Sequence, residues 1–163
     1  MTPFERWKLI RDGLDADASH EDYEAAWSAF IDEFHALAHA VTEADVARTV
    51  ELLAGGASPN NCDIVQSPAL HIAAAMGHIE LMTILLDAGA DIDGRDYCQM
   101  TPLIQAANTG VLAAVTFLLS RGANPTLTSD AGYTAAMRVP GGAQYAPLRQ
   151  LLRSAETEWK GRN

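Results

Sequence analysis

Cysteine is scarce in this chain: Cys62 and Cys98 are the two thiols among 163 residues. That excludes a disulfide-stapled secreted mini-fold. With no histidine near them at ligand spacing, the pair reads as reduced, structurally unremarkable thiols and not as a metal site. Positive charge is scarce too. Eleven Lys and Arg stand against 21 Asp and Glu, giving a net charge of −10 and a pI of about 4.7. No net positive field exists to release phosphate counterions, so neither nucleic acid nor an anionic membrane surface is an expected partner. No apolar run reaches the roughly 18–20 residues needed to span a bilayer. The segment Met1–Lys8 lacks the apolar stretch and small-residue cleavage site of a secretory leader, and a cytoplasmic location is expected. Also missing are a Gly-rich phosphate loop, Cys-x-x-Cys, His-Glu-x-x-His and Gly-x-Ser-x-Gly. No catalytic residues, no metal and no cofactor are therefore expected.

Apolar residues make up 48% of the chain, too many for a disordered segment and enough for one domain or one compact repeat array. Charge is unevenly placed. Asp12, Asp15, Asp17, Glu21, Asp22, Glu24, Asp32, Glu33, Glu43 and Asp45 succeed one another without a Lys or Arg. From Arg138 onward the balance reverses, with Arg138, Arg149, Arg153, Lys160 and Arg162 against Glu156 and Glu158. An acidic end of this kind speeds capture of a basic partner; its plainer reading is a solvated helix surface.

Self-comparison organises the rest. Pro68-Ala69-Leu70-His71-Ile72-Ala73-Ala74 matches Thr101-Pro102-Leu103-Ile104-Gln105-Ala106-Ala107 at an offset of 33. The same offset carries Gly77 to Gly110, Leu85-Leu86 to Leu118-Leu119, and Gly89-Ala90-Asp91 to Gly122-Ala123-Asn124. One step back reaches Leu52-Leu53 and Gly56-Ala57, and one step forward Thr134 and Leu151-Leu152. Thr101-Pro102 is a helix start, with a capping hydroxyl and a proline whose missing N–H costs nothing at the first helical position. Gly77 and Gly110 suit the left-handed close of a helix. Each unit leaves an apolar face that only its neighbour covers.

A period of 33 with these landmarks resembles the ankyrin repeat. The resemblance covers about residues 42–155, in frames 42–62, 63–95, 96–128 and 129–155. It implies an all-α solenoid of stacked helix pairs. Ile104 stands where the family has His, and Gln66 and Gln99 stand where it has a turn glycine, which puts the tight turn of each finger in question. The last frame breaks at Pro140-Gly141-Gly142, as a capping repeat can. Residues 1–41 read as an N-terminal helical cap. Thr2-Pro3-Phe4-Glu5 opens a helix carrying Phe4, Trp7, Ile10 and Leu14. Ser19 caps a second, striped by Tyr23, Trp27, Phe30, Ile31, Phe34, Leu37, Ala38 and Val41. Residues 156–163 read as a tail.

The remaining polar residues read as structural. His71 occupies the family's His position, which implies a hydrogen bond to the turn; His78 follows Gly77 at a helix corner. His35 and His39 share a helix face but lack a clear third ligand. Asp91 and Asp93 alternate in a turn and read as turn formers ahead of a weak Ca²⁺ site.

The resemblance implies that finger tips and the exposed side of the first helices line one concave groove. Mapped here, those positions include Cys62, Ile64, Val65, Ser67, Ala75 and Met76; then Arg95, Tyr97, Cys98, Met100, Asn108 and Thr109; then Asp130, Ala131 and Tyr133. Ile64, Val65, Met76, Tyr97, Met100 and Tyr133 give this row an apolar, aromatic character that protein interfaces favour. The expected partner-binding set is Ile64, Val65, Met76, Arg95, Tyr97, Cys98, Met100, Asn108 and Tyr133. The acidic residues from Asp12 to Glu33 would steer association. The expected function is that of an inhibitor or immunity protein, monomeric when free, that binds one protein, with a basic toxin or enzyme as the expected kind of partner. The alternatives are an effector or adaptor acting on a host or regulatory protein, and an enzyme with a site in the cap.

Overall fold

The computed structural model describes residues 19–60 and 68–162, and of 26–34 the backbone alone. Helices follow one another as α1 (His20–Thr42), α2 (Val46–Ala54), α3 (Ala69–Met76), α4 (Ile79–Asp87), α5 (Pro102–Thr109), α6 (Leu112–Ser120) and α7 (Ala135–Arg138). A 3-10 turn, Ala143–Tyr145, then leads into α8 (Ala146–Arg162). Consecutive helices pair, and the pairs stack. In one row α3 lies between α1 and α5, with α7 against α5; in the other, α4 lies between α2 and α6. The expected all-helical solenoid is the observed fold.

Local chemistry sets each boundary. Ser19 and Asp22 close a reciprocal capping box on α1: Asp22 N donates to Ser19 Oγ at 3.2 Å and Ser19 N to Asp22 Oδ2 at 2.9 Å. Thr101 Oγ1 accepts from Ile104 N at 3.3 Å, with Pro102 in the first turn of α5. Gly77 and Gly110 end α3 and α5 at φ +76° and +77°. The equivalent residue one repeat earlier is Ala44, which holds φ +56° despite its Cβ. Val139, held extended ahead of Pro140, stops α7 after four residues.

The core runs the length of the stack, through Leu37, Val41, Leu70, Leu81, Met82, Leu85, Leu103, Val115, Leu118, Leu148 and Leu152, all fully buried. Ala73, Ala74, Ala106 and Ala107 are also fully buried, and their small side chains let α3 and α5 approach closely.

Two expected boundaries shift. Leu37, Ala38, Ala40 and Val41 lie at 33-residue register with Leu70, His71, Ala73 and Ala74 and are buried like them. The end of α1 thus stands as the first helix of the first pair, and the expected cap boundary at 41 cuts through that unit. Residues 156–162, expected as a tail, continue α8. The reason is plain in their composition: nothing between Ala146 and Arg162 but Pro147 and Gly161 opposes a helix, and Pro147 sits in its first turn.

Candidate functional site

Between the second and third helix pairs, and again between the third and fourth, the chain makes a tight hairpin, the finger. In the finger from Arg95 to Met100, Asp96 N donates to the Met100 carbonyl at 3.1 Å and Gln99 N to the Asp96 carbonyl at 2.9 Å. Asp96, almost fully buried, accepts from Cys98 N and Met100 N on one carboxylate oxygen, each at 2.9 Å. These bonds hold Gln99 at φ +56°. The turn questioned for want of glycine forms regardless, because the Asp96 carboxylate collects the N–H groups that the turn exposes. The next finger repeats the design with other residues. Ser129 N donates to the Tyr133 carbonyl and Gly132 N to the Ser129 carbonyl, both at 3.0 Å, and Gly132 takes the left-handed position at φ +77°.

The two fingers lie side by side. Asp130 N donates to the Cys98 carbonyl at 3.1 Å. Arg95 spans the gap, its Nη1 donating to the Gln99 carbonyl at 2.7 Å and to the Thr128 carbonyl at 2.6 Å. His71 ties the finger to α3, its Nε2 lying 2.9 Å from the Met100 carbonyl. That carbonyl is an acceptor only, so Nε2 carries the proton. Burial lowers the His71 pKa below 6.5; the Met100 carbonyl and the Asp96 carboxylate oppose this more weakly.

The nine expected contact residues separate on this geometry. Tyr97 is 63% exposed at the finger tip, and Tyr133 and Met76 are also exposed. The Cys98 thiol bonded to the Tyr97 phenol raises its pKa above the ordinary value. Cys98 and Asn108 are half-buried. Met100 packs against the core, and the guanidinium of Arg95 is committed to two carbonyls, so both residues hold the fingers in place. Ile64 and Val65 lie outside the described residues, as do Cys62 and Ser67.

The acidic set divides similarly. Glu21 and Glu24 are exposed, Glu24 Oε1 lying 3.8 Å from His20 Nε2, while Asp22 completes the capping box of Ser19 on α1. Asp12, Asp15, Asp17 and the first cap helix, with Phe4, Trp7, Ile10 and Leu14, lie outside the described residues. Of Asp32 and Glu33, and of the stripe residues Trp27, Phe30, Ile31 and Phe34, only the backbone is described.

Asp91 and Asp93 are turn formers: Asp91 Oδ1 accepts from Asp93 N at 3.0 Å, and Asp93 Oδ1 from Asn124 N at 2.9 Å. Burial raises the Asp93 pKa, which the Asn124 bond opposes. Among the described residues no group of three or more His, Cys, Asp and Glu side chains is arranged to hold a metal ion.

Two residues escaped the sequence reading. Asp96 looks like one more acidic loop residue, and only the finger geometry shows its role. Met137, the most exposed large apolar residue described, was legible by register, since it falls 33 positions after Ile104.

The comparisons agree with this architecture. The probable E3 ubiquitin-protein ligase XBOS33 of Oryza sativa subsp. japonica is 55% identical over 29 residues, which are 18% of this chain and 6% of that protein. The chain therefore matches only a small fraction of that relative's length. The family model for ankyrin repeats in three copies matches residues 37–129, beginning within α1 where the buried register begins. With that match spanning more than half its length, and with helix pairs and fingers repeating in step, the chain belongs to the ankyrin-repeat family, a family of protein–protein interaction modules.

Proposed function

We propose that this chain is a non-enzymatic binder of one protein, engaged through the finger side of the stack by Tyr97, Met76 and Tyr133, with Cys98 and Asn108 beside them. The observation that carries the reading is Tyr97. A tyrosine 63% exposed at a finger tip contributes almost nothing to the core. It does present a large, rigid, amphipathic surface of the kind that dominates interface energetics. Arg95, Asp96 and His71 fix the finger beneath it, so the side chain is offered on a rigid support and loses little entropy on binding. In the same reading Ile64 and Val65, outside the described residues, belong to the partner-binding set.

The partner we infer is basic, and the chain acts on it as an inhibitor or immunity protein that occupies the working site of a toxin or enzyme. The net charge of −10 supports the sign of the partner, and the exposed Glu21 and Glu24 lie in the acidic stretch that would draw it in. The test is capture of the partner from the native source, followed by binding and activity assays with the purified pair. Loss of the partner's activity at equimolar chain supports inhibition. Full partner activity in the bound complex contradicts it and favours an adaptor.

A further inference from the structure

Each helix pair turns from its first helix to its second at a corner, and successive corners fall at 33-residue register on Ala44, Gly77 and Gly110. What fills the space between them differs. Val111 packs at Gly77, its Cγ1 2.8 Å from where a Cβ on that glycine would stand. Tyr145 packs at Gly110 in the same way, with Cε1 at 2.5 Å. One repeat before Val111, the residue in register is His78. There, between the first and second corners, Ala44, Val46, His78, Ile79, Glu80 and Leu81 line an open cleft of about 460 Å³.

The lining is largely apolar. Val46 and Ile79, the first residues of α2 and α4, are half-buried, and Leu81 is fully buried. The charge around it is acidic. Glu80 is an exposed lining residue, and Glu43 and Asp45, the chain neighbours of Ala44, are exposed. Arg48, the one cation of α2, is paired with Glu51 at 3.2 Å, and α4 carries no Lys or Arg. His78 adds a third feature. Its Nε2 is buried and has no hydrogen-bond partner among the described residues. With the ring proton on Nδ1, that nitrogen is an unsatisfied acceptor, which carries a desolvation cost. One feature opposes a cation here: α4 has no side-chain cap, so its N-terminal N–H groups present partial positive charge. Glu80, in the first turn of α4, offsets that field with a full negative charge.

We propose that this corner cleft is a second docking site, which takes an arginine or lysine side chain of the protein partner. The aliphatic stem lies along Val46 and Ile79 and the charged head meets Glu80. Charge complementarity selects this occupant. Long cationic side chains bury their stems on apolar surface and keep their heads in polar surroundings, and the cleft offers an apolar lining with a carboxylate and no competing base. The inference rests on the partner being a basic protein, but not on the row around Tyr97.

The test titrates the isotope-labelled full chain with N-acetylarginine amide. Parallel titrations use N-acetylnorleucine amide, which has a stem without the charge, and N-acetylglutamate amide. We expect saturable shifts of the backbone amide resonances of Ala44–Ala47 and Gly77–Leu81 with the arginine compound and with neither control. Glu80 is exposed, so Glu80→Gln should fold with a nearly unchanged melting temperature. It should weaken the arginine compound by about twofold to fivefold, the span of an exposed ion pair. No saturable shift at these residues, equal binding of the norleucine compound, or an affinity indifferent to Glu80→Gln overturns the proposal. So does preference for the glutamate compound, which would give the cleft to an anion at the N-terminus of α4. Failure of the basic-partner reading would show instead as a captured partner of acidic charge, with the arginine titration unchanged. Failure of the row around Tyr97 would show as a partner that binds a Tyr97→Ala, Met76→Ala double variant at full strength.

Discussion

His71 and two strained residues carry the clearest tests at the scale of single side chains. The folded-state pKa of His71 lies below its value of about 6.5 in the unfolded chain. As pH falls through 6.5, the unfolded chain takes up a proton that the folded chain refuses, and stability is lost at up to about 1.4 kcal/mol per pH unit. His71→Ile, which installs the residue of the next repeat, removes that increment. Urea denaturation at pH 7 and pH 5 should show a smaller loss for the variant than for the parent. Ala44 and Gln99 hold left-handed backbone that costs a residue with a Cβ about 1–2 kcal/mol, against about 0.5–1 kcal/mol of extra chain entropy for glycine. Ala44→Gly and Gln99→Gly should each raise stability by about 0.5–1 kcal/mol in the same assay. Asp96→Ala should cost about 2–3 kcal/mol because two turn N–H groups lose a charged acceptor. Asp96→Asn keeps an acceptor oxygen and should cost less.

At the scale of elements, the stack depends on how closely each helix corner approaches the next. A Cβ on Gly110 would stand 2.5 Å from Cε1 of Tyr145 and would have to adopt φ +77°. Gly110→Ala should therefore destabilise by about 2–4 kcal/mol, combining the left-handed penalty with overpacking. Leu118, fully buried in α6, faces the stack, and Leu118→Asp should abolish cooperative thermal unfolding. An unchanged transition in Leu118→Asp would contradict the register. The helix pairs were legible because Leu-Leu, Ala-Ala and Gly recur at one interval, and each recurrence has a packing reason. The first pair was less legible. Ala44 hides the glycine signal, and Leu37-Ala38-His39-Ala40-Val41 resembles its successors only through small and apolar character. The fingers were least legible, because Gln99 and Asp96 achieve by hydrogen bonding what glycine achieves by freedom. Likewise, nothing in the one-dimensional pattern separates Arg95, spent on two carbonyls, from Tyr97, left to solvent.

The whole molecule joins a rigid stack to an exposed finger surface and a strongly acidic charge. Charge reversal at Glu21 and Glu24 should slow association with a basic partner and flatten its salt dependence, while leaving the dissociation rate nearly unchanged. Stopped-flow binding at two ionic strengths separates these effects. The central claim, that the finger side holds the partner, is tested most directly by one paired measurement on the Tyr97→Ala, Met76→Ala double variant: affinity for the natively captured partner, and melting temperature. Affinity should fall by about tenfold or more, since exposed aromatic anchors cost about 2 kcal/mol or more on truncation. The melting temperature should stay close to that of the parent, since both residues lie outside the core. Full-strength binding by a variant that melts like the parent would contradict the claim.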